Sequence, residues 1–453
     1  MKRVPAFLFT AILVAGLFVV SGLDFSARAA EKSVPSWPGW RGGPMAYGVS
    51  TETGLPDTWS ATQNVAWKTP IPGRGHSSPV IWDKRVFLTT AVEGEIVPGM
   101  DKAAVENDFK DSRHPDSADG NRKYELKVLC LDRDTGKILW QQTAFSGVPY
   151  DYRHKGNTYA TPTPVTDGKH VVAYFGTEGL YGYDFSGKQL WKQDLGKFSS
   201  AGVGIGTSPV LYKGKVFIQV DFEEGEKSFI AAFDIATGKE VWRMPRKIQL
   251  SWGVPVIVET GQRAELVTTG NERIIAYDPD TGKELWSTKG LENNAVNTPL
   301  QAPGIVIVYT GYPGRRIYAI KTGGSGDVTA TNIAWSADRY TAYVPSGILY
   351  GNLAYFMTAR GILTAIDPKT GDVKYSNGRV PVPATFTASP VAYDNKIVLF
   401  SEDGDAFVIK AGEKHEVLRT NSLGEPIFAT PAIAAGKLFI RSEKNLYAIG
   451  KKG

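Results

Sequence analysis

Apolar and polar positions alternate along residues 61–450 in one recurring order. Residues 276–286 read AYDPDTGKELW, so an apolar strand ending in a small residue is followed by an Asp, a Thr-Gly-Lys turn and a strand that closes on Trp. A carboxylate caps such a turn, and Gly adopts positive φ there without a steric penalty. The pattern therefore predicts a β-hairpin, which is a structural device and carries no catalytic group.

The hairpin pattern recurs at nearly constant spacing along the chain. Six intervals separate the first closing residue, Trp140, from the last, Leu418, so one repeat takes about 46 residues. This is the length of a four-stranded propeller blade. The copy at 319–323 is degenerate, and an insertion delays its closing Trp. The closing positions are Trp140, Trp191, Trp242, Trp286, Trp335, Tyr375 and Leu418.

A second signal marks where each blade begins. A Ser-Pro, Thr-Pro or Val-Pro dipeptide precedes an apolar strand that we expect to line the central channel. Eight such dipeptides predict an all-β fold, an eight-bladed β-propeller of four-stranded antiparallel blades. The dipeptides are Ser78-Pro79, Thr163-Pro164, Ser208-Pro209, Val254-Pro255, Thr298-Pro299, Val344-Pro345, Ser389-Pro390 and Thr430-Pro431.

The eighth repeat lacks its outer strand. It spans residues 431–449, and no Trp-bearing strand follows it. The segment 64–70 around Trp67 looks like the missing piece, because it resembles an outer strand without the turn that should precede it. We expect this N-terminal strand to close the ring, since an unclosed blade would leave a free sheet edge.

The N-terminus has the features of a signal peptide. Lys2 and Arg3 precede an apolar run over residues 6–23, and Ala27 and Ala29 suit a signal peptidase. We therefore expect residues 1–29 to be removed by cleavage near Ala29. The mature protein should then be periplasmic or secreted and should not insert stably into a membrane. The alternative is that the apolar run stays uncleaved as a membrane anchor. Residues 30–60, with three Trp, predict a strap packed on the propeller of 61–450, and 93–123 form an insertion in the first blade.

Composition narrows the classes of partner. The formal charge is +5, and loss of the first 29 residues leaves about +3, with acidic and basic residues interspersed. Such a balance does not favour a nucleic-acid partner. Cys130 is the single cysteine, so an internal disulfide is excluded, and its place in the repeat predicts a small buried residue. We expect a monomer.

The assembled repeats resemble the quinoprotein-type eight-bladed propellers, which are built from pyrroloquinoline-quinone (PQQ)-like repeats and interlocked by a tryptophan-docking motif. Residues 37–42, WPGWRG, and 73–79, GRGHSSP, look like the secreted BamB-like members. The BamB-like resemblance implies a non-enzymatic scaffold without a cofactor. PQQ dehydrogenases carry two adjacent cysteines and a catalytic Asp beside calcium. Cys130 stands alone and no Asp matches that role, so the resemblance disfavours PQQ with calcium here.

Candidate chemistry lies in the loops that precede the channel-lining strands. These loops converge on one face of a propeller, and their aromatic, amide, Arg and His side chains suit a small polar ligand, a glycan or a protein partner. The alternative is that they plug the channel or cap strands. No catalytic set or metal-ligand spacing occurs among the five His. The candidates are Arg74, His76, Arg153, His154, Asn157, Tyr159, Trp252, Asn293, Asn297, Tyr343, Phe386 and Phe428.

The sequence thus predicts an exported, non-catalytic binding or scaffold propeller that engages its ligand at one face of the channel. The alternative hypothesis is a quinone-dependent oxidoreductase.

Overall fold

Eight antiparallel sheets, each built on four strands, form the blades of a β-propeller. The computed structural model describes Met1 and residues 34–100, 114–292 and 294–451. The predicted signal peptide and Asn293 lie outside these residues. Within them, every helix is too short or too polar to cross a membrane. The predicted all-β, eight-bladed fold is confirmed.

The first four blades follow one another along the chain, and each runs from an inner to an outer strand. Blades 1 and 2 comprise β3 (Val80–Trp82), β4 (Arg85–Ile96), β6 (Arg122–Asp132) and β7 (Ile138–Gly147), with β1 (Ser36–Trp37) beside β3, and then β9 (Val165–Thr166), β10 (His170–Tyr174), β11 (Leu180–Asp184) and β12 (Gln189–Gln193). Blade 3 comprises β13 (Val210–Tyr212), β14 (Lys215–Val220), β15 (Phe229–Asp234) and β16 (Glu240–Pro245). Blade 4 comprises β17 (Val256–Glu259), β18 (Ala264–Thr268), β19 (Arg273–Tyr277) and β20 (Glu284–Lys289), with β24 (Gly326–Asp327) beside β20.

The last four blades repeat the plan, except that blade 8 takes its outer strand from the N-terminal part of the chain. Blades 5 and 6 comprise β21 (Leu300–Ala302), β22 (Ile305–Thr310), β23 (Arg316–Lys321) and β25 (Ile333–Ala337), and then β26 (Ile348–Tyr350), β27 (Leu353–Met357), β28 (Ile362–Ile366) and β29 (Val373–Arg379). Blade 7 comprises β30 (Val391–Tyr393), β31 (Lys396–Phe400), β32 (Asp405–Lys410) and β33 (Val417–Ser422). Blade 8 comprises β34 (Ala432–Ala434), β35 (Lys437–Arg441), β36 (Asn445–Ile449) and β2 (Val65–Pro70).

The remaining regular elements are short. β5 (Ser117–Ala118) and β8 (Arg153–His154) form a two-stranded sheet of their own. Among the described residues, the helical elements are three single 3-10 turns, Trp40–Gly42, Gly176–Glu178 and Gly225–Lys227.

The dipeptides that mark the blades explain how the inner strands are held. Every inner strand begins within three residues of its Pro, where a missing N–H removes no ladder hydrogen bond. The preceding hydroxyl links neighbouring blades: the Ser78 N–H donates to Thr163 Oγ1 (3.0 Å), and the Thr163 N–H donates to Ser208 Oγ (2.9 Å). The same bond joins Ser389 to Thr430 (2.9 Å). The hydroxyls of the Ser/Thr-Pro signal therefore link the inner parts of neighbouring blades at these junctions.

The Thr-Gly-Lys turns lock the outer strands. In blade 3, Asp234 Oδ1 accepts hydrogen bonds from the Thr237 N–H (2.8 Å) and hydroxyl (2.7 Å), and Gly238 has φ +71°. The indole of Trp191, from blade 2, packs on Gly238 and donates its N–H to Ile235 O (3.0 Å). A Cβ on Gly238 would lie 2.5 Å from this indole, so Gly is required for close approach as well as for φ.

The same lock joins four further pairs of blades. In each pair an indole N–H donates to the carbonyl that follows the turn Asp, and the ring packs on the turn Gly. The indole, carbonyl and Gly residues are Trp67, Arg133 and Gly136; Trp140, Phe185 and Gly187; Trp242, Pro279 and Gly282; and Trp335, Pro368 and Gly371.

The lock changes where the repeat is degenerate. Trp286 donates to the buried Glu265 carboxylate (2.8 Å). A Cβ on Gly323 of the next turn would meet no atom within 4 Å, so the indole does not pack on this Gly. The insertion in that repeat forms β24, which pairs in parallel with β20 and covers the outer edge of blade 4. The degenerate copy therefore still protects a sheet edge.

Strand β2 closes the ring, as predicted. It pairs antiparallel with β36, with Trp67 opposite Ala448 and Lys68 opposite Tyr447. Glu425 reinforces the closure: its carboxylate accepts hydrogen bonds from Lys68 Nζ (2.8 Å) and Tyr447 Oη (2.7 Å). The first and last parts of the propeller are thus joined by a ladder and by a half-buried carboxylate.

Residues 35–60 run across the inner strands at the turns between the first and second strands of the blades. Pro35 O accepts from the Asp83 N–H of blade 1 (3.0 Å), and Gly48 O accepts from the Ala392 N–H of blade 7 (2.9 Å). Arg41 is 1% exposed and donates Nη1 to Gly347 O (2.7 Å), so it lies among the inner strands. Burial lowers the pKa of Arg41 to about 10. This segment therefore packs on several blades, and its last residues, Trp59 and Ser60, reach the outer strand of blade 7.

The Trp–Gly lock is tested by two Gly→Ala substitutions in blade 3. Gly238 and Gly214 both have positive φ, +71° and +75°, but only Gly238 faces an indole, whereas Gly214 has nothing within 4 Å. Both variants carry the left-handed strain of about 1 kcal/mol. Gly238→Ala should lower the free energy of unfolding by a further 1–3 kcal/mol, roughly, through overpacking, measured by guanidinium denaturation. Equal losses in the two variants would contradict the lock.

The closure at Glu425 predicts a pH dependence. Burial alone raises the pKa of this carboxyl, but hydrogen bonds from Lys68, Asn445, Tyr447 and Ser442 lower it from 4.5 to about 2. Because the folded pKa is depressed, the stabilisation is fully present above pH 4.5 and is lost as the pH falls towards 2.

We therefore expect Glu425→Gln to lower the free energy of unfolding by about 2 kcal/mol at pH 7. The difference from wild type should shrink steadily between pH 4.5 and 2, as followed by urea denaturation at each pH. A difference that stays constant over this range would show that the charge of Glu425 does not hold the closure.

Candidate functional site

The loops of blades 8 and 1 bring three predicted residues together. The rings of His76 and Phe428 stack with centroids 4.9 Å apart, and Arg74 Nη2 lies 3.3 Å from Glu443 Oε1. Burial and then the charges of Arg441, Arg74 and Arg153 lower the pKa of His76 to about 3. His76 is therefore a neutral imidazole at physiological pH. We call this group, at the junction of blades 8 and 1, the seam.

Arg441 belongs to the seam and was missed in the sequence. It ends β35, is 3% exposed, and donates Nη1 to Ser77 Oγ and Thr89 O, each at 2.7 Å. These bonds join blade 8 to blade 1. The signal that could have revealed it is a lone Arg ending the apolar strand 437–441.

A second group of predicted residues lies where loops of blades 1, 2 and 3 meet. The insertion of blade 1 pairs with the loop before blade 2 through β5 and β8, with Ser117 opposite His154. Ser117 Oγ donates to Gly202 O (2.7 Å), and the His154 N–H donates to Val203 O (3.0 Å). We call the joined segments 114–121, 150–161 and 199–206 the platform.

The interior of the platform is held by a buried ion pair. Arg153 Nη2 contacts Asp119 Oδ2, and Tyr124 Oη donates to the same carboxylate oxygen (2.8 Å). Tyr159 packs edge-on against Tyr124 with centroids 5.0 Å apart, and burial raises the pKa of both phenols. Arg153 and Tyr159 therefore contact the interior of the platform and stabilise its shape.

Two further predicted residues fix the third loop. Asn157 Nδ2 donates to Val203 O (3.1 Å), and Trp252 Nε1 donates to Gly204 O (2.9 Å). The Gly-rich segment 202–206 is therefore a loop between blades 2 and 3 held from both sides.

The outer surface of the platform carries His114, Asp116, His154 and Lys155. Lys155 Nζ lies 2.7 Å from Asp116 Oδ1, and ligand atoms of the other three residues lie within 4.8 Å of one another. However, the Nδ1 atoms of His114 and His154 accept backbone N–H bonds of 3.1 and 3.0 Å. A neutral imidazole then carries its proton on Nε2, where a metal would have to bind. This geometry favours a hydrogen-bonding surface over a metal centre.

The remaining predicted residues contact neither the seam nor the platform. Asn297 is buried and donates Nδ2 to Pro345 O (3.0 Å), and Phe386 is buried against Phe407. Tyr343 is half-buried, with its ring centroid 5.2 Å from that of Tyr312. The site residues predicted from the sequence thus belong to the seam, to the platform, or to positions that contact neither group.

The sequence comparisons agree with this architecture. The family described as outer membrane protein assembly factor BamB matches residues 124–225 and 226–378, more than half of the chain. The chain belongs to this family. A curated BamB relative, the outer membrane protein assembly factor of Burkholderia pseudomallei, is 22% identical over 300 residues, which cover 62% of this chain and 72% of the relative. The resemblance inferred from the repeats is confirmed.

Solved structures show the same fold. BamB from Moraxella catarrhalis has a TM-score of 0.54 at 15% identity, covering 74% of this chain and 94% of its own. A quinohemoprotein alcohol dehydrogenase from Comamonas testosteroni has a TM-score of 0.61 at 13% identity, covering 92% of this chain and 81% of its own. A europium-containing methanol dehydrogenase has a TM-score of 0.58 at 12% identity, covering 90% of this chain and 89% of its own. At these identities the likeness concerns the fold alone.

The dehydrogenase neighbours raise the question whether this BamB-family chain fits a quinone. The cavity beside Arg441 and His76 measures about 10 Å³, which admits one water-sized occupant. A second cavity of about 260 Å³ lies under Trp40, but its walls include Trp82, Val165 and Leu211, which do not match a tricarboxylate. Cys130 is buried, and burial raises its pKa to about 12. The linings of these two cavities do not fit PQQ.

The ion pair inside the platform gives a test of how the platform is held. Asp119→Asn leaves Arg153 buried without a counter-charge, a change that costs about 3–5 kcal/mol in buried pairs. Asn tolerates the φ of +66° at this position, so the backbone is preserved. Limited proteolysis should then cut residues 114–121 faster than in wild type.

The matched control is Asp134→Asn, which removes an exposed ion pair with Arg133 (2.9 Å) and should leave the cleavage rate unchanged. Equal resistance of Asp119→Asn and wild type would mean that the ion pair does not hold the platform.

Proposed function

We propose that this BamB-family protein is an exported, non-catalytic scaffold propeller that binds a protein partner through the platform. The curated relative is named an outer membrane protein assembly factor. By that analogy, the partner takes part in outer-membrane assembly. A glycan or another small polar ligand is the second class of molecule that the polar surface suits.

The observation that supports the platform most is its construction. Loops of three blades are joined by backbone and side-chain bonds, among them His114 N–H to Ala201 O (3.1 Å) and Lys155 N–H to Asp116 O (2.8 Å). A surface that is ordered before binding avoids the entropic cost of ordering it in the complex. Its Lys155 side chain is paired with Asp116 (2.7 Å) and is 69% exposed, so this ion pair faces a partner on the surface.

Three titratable groups of the seam and of the platform's interior support a non-catalytic role. His76 is neutral and stacked, Arg153 is neutralised by Asp119, and the phenol of Tyr159 donates to Asp151 O (2.9 Å). A general acid–base pair or an activated nucleophile needs such groups free to face a substrate. Here their hydrogen bonds and ring contacts are directed into the protein.

The proposal is tested with a photo-crosslinking amino acid at Lys155, on the platform, and at Lys169 as the matched control. Both positions are exposed Lys of the loops around blade 2, but Lys169 lies in the turn between β9 and β10. In cells of the natural host, position 155 should crosslink to a component of the outer-membrane assembly machinery, and position 169 should not. Crosslinks of equal yield from both positions, or from position 169 alone, would contradict docking on the platform.

A further inference from the structure

The seam contains a buried positive charge without a counter-ion. Arg441 is 3% exposed, and among the described residues its hydrogen-bond partners are Ser77 and Thr89, reached through Nη1. No carboxylate oxygen of the described residues lies within 4.0 Å of its guanidinium nitrogens. An isolated buried charge is strongly unfavourable unless it is paired.

The protein contains a contrasting arginine in the same environment. Arg246 is 1% exposed, and its Nε donates to the equally buried side chain of Asp221 (2.8 Å), with further bonds to Thr268 and Thr269. The fold thus supplies a carboxylate to one buried guanidinium and none to the other. Arg41 is buried without a carboxylate as well, but it donates through both Nη1 and Nη2, to Gly347 O and Tyr47 O. Among the described residues Arg441 donates through Nη1 alone, so its remaining N–H groups are left for a negatively charged group from outside the chain.

A small cavity lies beside the unpaired guanidinium. It measures about 10 Å³ and is lined by Arg74, His76, Phe428 and Arg441, with Ser442 and Glu443 completing the wall. The Nε of Arg74 is buried and has no hydrogen-bond partner among the described residues. Glu443 is engaged by Arg74 at 3.3 Å. The cavity therefore presents unused donors and a positive potential.

We propose that the seam is a binding site for one small monovalent anion, of halide size or a single carboxylate, held by Arg441, Arg74 and a ring N–H of His76. Burial lowers the pKa of Arg441 to about 9, and burial with the arginine charges lowers that of His76, as expected where the potential is positive. Because Arg441 joins blade 8 to blade 1, the anion strengthens the closure of the ring. This inference does not depend on the proposed function.

The size of the cavity selects the ligand. A volume of about 10 Å³ accommodates one water-sized group, so a halide or one oxygen of the planar formate ion fits, whereas the tetrahedral sulfonate of methanesulfonate is too bulky. A ligand that binds only the folded protein and is present at 100 times its Kd shifts the folding equilibrium by about 100-fold. Anion binding is therefore visible as a rise in the midpoint of thermal unfolding.

The experiment measures thermal unfolding of the full chain at pH 7 and constant ionic strength, with methanesulfonate replaced stepwise by chloride, bromide or formate. We expect the midpoint to rise with at least one of the three small anions. A rise with chloride or bromide identifies a free inorganic ion, and a rise with formate alone identifies a carboxylate as the natural source. Arg441→Met should abolish the rise, and Arg419→Met, on the exposed outer strand of blade 7, should keep it.

Crystals grown in bromide provide a readout that does not require the variant to fold. An anomalous peak within about 3.5 Å of the Arg441 guanidinium supports the site, because that is the range of a hydrogen bond to a halide. The proposal is overturned if methanesulfonate stabilises as much as the small anions, or if Arg441→Met retains the full response. It is equally overturned if neither halide nor formate changes the midpoint and the bromide peak is absent.

Discussion

The structure depends on the contact between the indole of one blade and the glycine turn of the next. A blade has a polar outer edge and two apolar faces, so it is stable only when both faces are covered by neighbours. The indole N–H satisfies the carbonyl after the turn Asp, and its ring fills the space that a missing Cβ leaves, as with Trp191 and Gly238. At the five junctions that carry it, this contact fixes the distance and the rotation between successive blades.

The ring also has to close, and the closure uses three different interactions. β2 adds a ladder to β36, Glu425 joins Lys68 to Tyr447, and Arg441 reaches Ser77 across the inner strands. A closed ring fixes the positions of the loops at its face. The platform needs this, because its three segments come from different blades and contact one another through only a few hydrogen bonds.

The fold could be predicted from the sequence because its determinants are local and repeated. The turn pattern, the Ser/Thr-Pro dipeptides and the orphan strand around Trp67 each specify short-range structure, and their number specifies eight blades. The candidate site could be predicted only in outline. The neighbour of His76 is Phe428 and the partner of Arg153 is Asp119, which lies in an insertion without a repeat pattern. Arg441 was missed because it occupies a strand that otherwise appears purely structural.

The central claim is that the platform is a preorganised binding surface held by the ring. Hydrogen–deuterium exchange of the free protein tests it most directly, since the amides of His114, His154 and Lys155 each donate to a backbone carbonyl of a neighbouring segment. These amides should exchange as slowly as those of the blade strands, and far more slowly than the amide of exposed Lys197 in the loop after β12. Exchange of all three at the rate of unprotected amides would show that the platform is not formed before binding, and would contradict the account.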